Sequence, residues 1–103
     1  MVYEYGGIEP QKWRNQMTET IQNRVALLGV IVESAESTEE LNHILHEYKE
    51  YVIGRMGLPY KERQVNIISI VLDAPGDVIS SLSGKLGMLK GITCKAVYSK
   101  MPN

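Results

Sequence analysis

The run at residues 65–72, VNIISIVL, carries no charge and constrains this chain more than any other stretch. It is too short to span a membrane, and its length and β-branched content mark a strand buried on both faces. Alternation places Val65, Ile67, Ser69 and Val71 on one side and Asn66, Ile68, Ile70 and Leu72 on the other. Only residues 25–32 (VALLGVIV) match it, again apolar on both sides. Strands of this kind need neighbours on both edges and cover on both faces, so they belong in the middle of a sheet.

A chain of 103 residues has room for one core, and with no Phe and a single Trp that core is aliphatic. A formal net charge of −1 gives no overall attraction to nucleic acid or to an anionic membrane. The lone cysteine, Cys94, cannot close an internal disulfide, which fits a reducing compartment. No signal-peptide core and no spanning run are present, so a soluble, cytoplasmic protein is expected.

Residues 1–23 differ from the rest and are expected to form an N-terminal extension, partly helical or disordered. Tyr3, Tyr5, Gly6, Gly7 and Pro10 make an irregular lead, and Trp13, Met17 and Ile21 then recur at helical spacing. Residues 24–33 form the first strand, and Ser37 with Glu40 has the spacing of a capping box. The helix that follows puts Leu41, Ile44, Leu45 and Tyr48 on one face and Glu39, His43, His46 and Glu50 on the other. A weaker edge strand is expected over 52–56, a polar hairpin loop over 57–64, and a turn over 73–76 after the central strand. A second helix over 77–89 turns Ile79, Leu82 and Leu86 inward, Gly91 supplies a left-handed cap, and 92–99 alternates as an edge strand.

The order β-α-β-β-α-β over residues 24–100 is the split βαβ, or ferredoxin-like, α+β sandwich. Right-handed crossovers give an antiparallel sheet in the order 4-1-3-2, with the first and third strands central. Those are the two double-sided strands. Both helices cover one face of such a sheet, and the other face stays bare and apolar, more than a soluble monomer tolerates. A homo-oligomer, dimer or tetramer, in which a second sheet covers the first is expected.

Candidate sites are few. His43 and His46, at i and i+3, share a helix face and are the metal candidate; the alternative is an ordinary exposed, charge-mixed surface. On the second helix Ser80, Ser83, Gly84 and Gly87 make an outward stripe of small residues with Lys85 beside it. Glycine inside a helix costs about 1 kcal/mol against alanine, so close approach of a backbone, a neighbouring helix or a ligand is expected there, the alternative being a merely tolerated surface. Arg55, Lys61 and Arg63 bracket the hairpin loop, with Glu62 among them, and could bind an acidic ligand or a partner protein; the alternative is a solvated loop. No nucleophile–base pair, no paired carboxylates in an apolar setting and no Ser/His/Asp arrangement is visible, so the expected function is not enzymatic.

The segments RVALLGVIVE, VIGRMGLPYKERQVNIISIVLDAP and LSGKLGMLKGITCKAV together resemble the family of iron-only hydrogenase system regulators. The most specific parts are Arg55-x-Gly57-x-Pro59-x-Lys61-Glu62 and 82–87, LSGKLG. More distantly, 82–97 is similar to the C-terminal domain of the nickel-responsive repressor and to ACT-like domains. The resemblance implies an ACT-like, oligomeric, non-enzymatic sensor linked to gene regulation, responsive to a small molecule or a protein partner. It departs from the nickel repressor in having no His or Cys in its second and third strands, and from ACT domains in a glycine-free loop, Ser34 to Thr38. No cofactor is assigned by these residues.

Overall fold

The computed structural model describes Val2–Glu4 and residues 22–100 of the chain. The elements are β1 (Val2–Glu4), β2 (Asn23–Val32), α1 (Thr38–Glu47), β3 (Val52–Tyr60), β4 (Val65–Pro75), α2 (Gly76–Gly87) and β5 (Ile92–Tyr98). All strand pairs are antiparallel, in the order β1-β3-β4-β2-β5. Without β1 this is the ferredoxin-like order expected from the sequence, with the two double-sided strands, β2 and β4, at its centre.

Both helices lie on one side of the sheet, and the core fills the space between. Ala26, Leu28, Val30 and Val32 of β2 and Ile68, Ile70, Leu72 and Ala74 of β4 meet Leu41, Ile44 and Leu45 of α1 and Ile79, Leu82 and Leu86 of α2. Of the alternative sets the sequence left open, the even-numbered residues of both central strands therefore face the helices. The odd-numbered ones face away.

Several local expectations need correction. The chain does not leave the sheet at Gly57: Gly57–Tyr60 continue β3 opposite Val65–Ile68 of β4, and the turn is confined to residues 61–64, with Gln64 at φ 56°. Pro59 is tolerated because β1 pairs with Gly54, Arg55 and Met56, so that among the described residues Pro59 has no neighbour on the outer edge of β3. Nor is β3 the sheet's edge over its first half, since β1 covers it there. At the other end, Asp73, Ala74 and Pro75 stay in β4 because Asn23, Arg24 and Val25 extend β2 to pair with them. Asn23 thus belongs to the sheet and not to the extension, Val2–Glu4 is a strand, and the helix expected around Trp13, Met17 and Ile21 lies outside the described residues.

The capping box is not made. Ser37 precedes α1, but its hydroxyl donates to the carbonyl of Lys90 at 2.7 Å, tying the start of α1 to the turn after α2. Helix α2 starts at Gly76 after Pro75 and stops at Gly87, two residues short of the expected end. Gly91, four residues on, takes the left-handed conformation (φ 71°). Its carbonyl accepts from the Glu33 N–H at 2.7 Å, and a Cβ at this position would lie 2.5 Å from Ser34 Cβ. Gly91 is needed for both its dihedral and its closeness to the β2–α1 connection.

Candidate functional site

A β-bulge decides what β3 shows to each side of the sheet. Val52 opposes Leu72 and Gly54 opposes Val71, so Ile53 is the extra residue. After it, Arg55, Gly57 and Pro59 point to the helix side, while Met56, Leu58 and Tyr60 point to the open side. The motif Arg55-x-Gly57-x-Pro59 is therefore one face of a strand.

That face borders a cleft of about 290 Å³ between β3 and the first turns of α1, lined also by Val32, Leu41, Asn66 and Ile68, with Thr38 and Asn42 from the helix. The Arg55 Nη2 donates to Asn42 Oδ1 at 3.1 Å, holding the guanidinium at this wall. Among the described residues of the lining, Arg55 is the ionised side chain and none is a carboxylate. The backbone at Gly57 has no positive φ, and a Cβ there would meet nothing within 4 Å. Its missing side chain leaves the cleft open. Lys61 and Glu62 do not join this group; both are exposed in the β3–β4 turn.

The open side of the sheet is the larger feature. Leu27 and Ile31 of β2, Ile67 of β4, Leu58 of β3 and Val97 of β5 remain 41%, 41%, 38%, 54% and 65% exposed. Cross-strand register sets Val97, Leu27, Val71 and Gly54 in one row, and Thr93, Ile31, Ile67 and Leu58 in another. Between these rows Gly29 and Ser69 sit side by side and form a shallow dip. Within β2–β5 the charged residues of this face are Lys95, beside Gly29 on the edge strand β5, and Asp73, opposite Val25.

The stripe on α2 is less uniform than its spacing implies. Ser80, Gly84 and Gly87 are exposed, and an added Cβ at either glycine would meet nothing within 4 Å. Ser83 is half-buried and shares a 3.6 Å hydrogen bond with Cys94 of β5. Burial pushes the Cys94 thiol up, against a smaller opposite effect of Ser83, which suits a packed thiol and not a reactive one. Lys85 turns to α1: its Nζ lies 5.1 Å over the Tyr48 ring, and the Tyr48 hydroxyl shares a 3.0 Å hydrogen bond with Ser81. That bond to Ser81 lowers the Tyr48 pKa, and hydrogen bonding with Tyr48 raises that of Lys85.

His43 and His46 are both exposed on α1, and His43 lies 3.5 Å from Glu47 one turn on. Among the described residues no group of three or more His, Cys, Asp or Glu is placed to hold a metal. Changing both histidines to alanine is expected to alter stability by no more than about 0.5 kcal/mol. Titration with a transition metal should give the same isotherm before and after; tight binding lost in the double variant would restore the metal reading.

Sequence reasoning found Arg55, Gly57 and Pro59 but missed Thr38, Asn42 and Asn66. One signal was present. Asn66 is the only strongly polar residue on its face of an otherwise aliphatic strand, and it marks where the core opens into the cleft.

Comparison with known proteins bears on the whole of this arrangement. The family described as "TM1266-like: Iron-only hydrogenase system regulator, putative" matches residues 24–96. The solved structure of the uncharacterized protein TM1266 from Thermotoga maritima is similar, with 34% sequence identity and a TM-score of 0.73, covering 76% of this chain and 99% of that one. No curated protein matches the chain. Among the described residues no helix is long and apolar enough to cross a membrane.

Proposed function

The chain belongs to the TM1266-like family of iron-only hydrogenase system regulators, and from that premise we propose that it works as a homodimeric regulatory domain, two copies packing sheet against sheet. Membership makes it a non-catalytic regulatory domain related to the iron-only hydrogenase system. The dimer is supported by one observation, the apolar face of Leu27, Ile31, Leu58, Ile67 and Val97 that neither helix covers.

Size and chemistry both favour a second copy as the cover. A strand of ten residues rises about 3.4 Å per residue, and four strands spaced about 4.8 Å apart then present on the order of 600 Å² of sheet. With side-chain relief this approaches the roughly 800 Å² per partner of a standard interface. A mostly aliphatic face suits a surface like itself, and the dip at Gly29 and Ser69 gives room for larger side chains from the facing sheet. Dimerisation would bury apolar area while leaving α1, α2 and the cleft outside the contact.

Sedimentation velocity over a dilution series tests this. A species of twice the 11.6 kDa chain mass at micromolar concentration is expected; a monomer throughout would remove the proposal.

The α2 stripe is a second proposed contact, one that would join dimers through their helix layers. Its case rests on Gly84, since Gly87 closes the helix and carries no interior penalty. Gly84→Leu is expected to reduce assembly beyond the dimer although leucine is the better helix former. A raised melting temperature with unchanged mass would show the stripe to be ordinary surface.

A further inference from the structure

We propose that the cleft between β3 and the first turns of α1 binds a small aliphatic monocarboxylate, with Arg55 receiving the carboxylate. The proposal goes beyond the dimer and does not depend on it.

The cleft combines a charged end with an apolar body. Arg55 supplies a guanidinium, whose fork of N–H donors matches the two oxygens of a carboxylate. Asn42 fixes that fork from α1 through the 3.1 Å hydrogen bond. The same end is bordered by Thr38 and Asn42 in the first turns of α1, where the helix dipole also favours negative charge. The rest of the wall is mostly apolar, made by Val32, Leu41, Leu58, Pro59 and Ile68, with Asn66 as its one amide among the described residues. A ligand charged throughout would strand its polar atoms against them. At about 290 Å³ the space lies at the small end of ligand pockets, roughly 300–1,000 Å³, and fits a molecule of a few carbons.

Gly57 is the second, independent observation. Glycine weakens a strand interior and is found there where a ligand or another backbone comes close. Among the described residues nothing lies within 4 Å of the position where its Cβ would be, and its dihedrals do not demand glycine. Any larger residue would project into the cleft.

The test is a ¹H–¹⁵N NMR titration of the full chain with sodium hexanoate, with hexanamide as the neutral counterpart and inorganic phosphate as the other anion. Hexanoate is expected to shift the amides of Thr38, Asn42 and Gly57 saturably, with hexanamide at least tenfold weaker and phosphate without effect. Arg55→Gln should weaken hexanoate at least tenfold by removing the charge, and Gly57→Val should do so by filling the space. Both variants should keep the parent's sedimentation, which separates failure of the site from failure of the dimer. An equal response to hexanamide or to phosphate, no response to hexanoate, or unchanged binding in either variant would overturn the proposal.

Discussion

Ile31→Lys combined with Ile67→Glu is expected to turn the dimer into a folded monomer, with association weakened at least a thousandfold. The two residues face each other across β2 and β4 on the open side of the sheet. Each is about two-fifths exposed in the single chain. In a sheet-to-sheet dimer the same positions are dry. Charges left there lose their hydration, and a buried charge without a well-made partner costs several kcal/mol. The choice of one cation and one anion matters. Glutamate at both sites would set like charges directly opposite on neighbouring strands, destabilising each chain by up to about 1 kcal/mol, whereas the mixed pair is neutral or favourable. Circular dichroism should show an unchanged fold and sedimentation a single chain mass. A variant that remains dimeric would place the interface elsewhere.

Gly91→Ala is expected to lower stability by about 3 kcal/mol, a fall in melting temperature of at least about 10 °C for a domain of this size. Two costs combine. An L-residue in the left-handed region costs roughly 1–2 kcal/mol, and forcing extra atoms into a packed site typically costs about 1–3 kcal/mol. The crowding is specific: the added Cβ would fall 2.5 Å from Ser34 Cβ and 3.0 Å from the Ser34 backbone nitrogen. The turn cannot simply swing away. It is held by the Glu33 N–H to Gly91 carbonyl bond and the Ser37 hydroxyl to Lys90 carbonyl bond, with the exposed Lys90–Glu36 pair at 3.2 Å adding little. Ser34→Gly should restore part of the loss in the Gly91→Ala background, by removing the closest of the clashing atoms, and a double-mutant cycle in thermal melts would measure it. Additive effects would show that the dihedral alone is responsible.

The centre of this fold was legible because composition and topology agree. VALLGVIV and VNIISIVL are predominantly apolar on both sides, and only central strands ask for that. The same property hid which side is open: with both sets apolar, periodicity cannot tell Ile67 from its fully buried neighbour Ile70. What decides is the helix packing, a tertiary fact. The candidate site was legible only in part. Arg55, Gly57 and Pro59 looked like a loop because glycine and proline punctuate most chains. Their shared face depends on the bulge at Ile53, whose one local sign, Gly54, reads equally well as the end of the preceding helix. Ser37 shows the same limit from another side. Its spacing to Glu40 is right for a capping box, but a carbonyl fifty-three residues away is the better-placed acceptor.

β3 links the two proposals physically. Its side chains alternate between the cleft and the open face, so Arg55, Gly57 and Pro59 share a backbone with Met56, Leu58 and Tyr60. A ligand that shifts this strand on one side would alter the surface offered to a second copy on the other. On these proposals a regulatory domain would have a way to turn binding into a change of assembly.

The most direct measurement is an isotope-filtered NOE experiment on mixed dimers, one copy methyl-labelled and the other not. Contacts between chains are expected from the methyls of Leu27, Ile31, Leu58, Ile67 and Val97, and none from Leu28, Ile70 or Leu82, which lie on the helix side. Intermolecular contacts confined to α2, or none at all from the open face, would contradict the account.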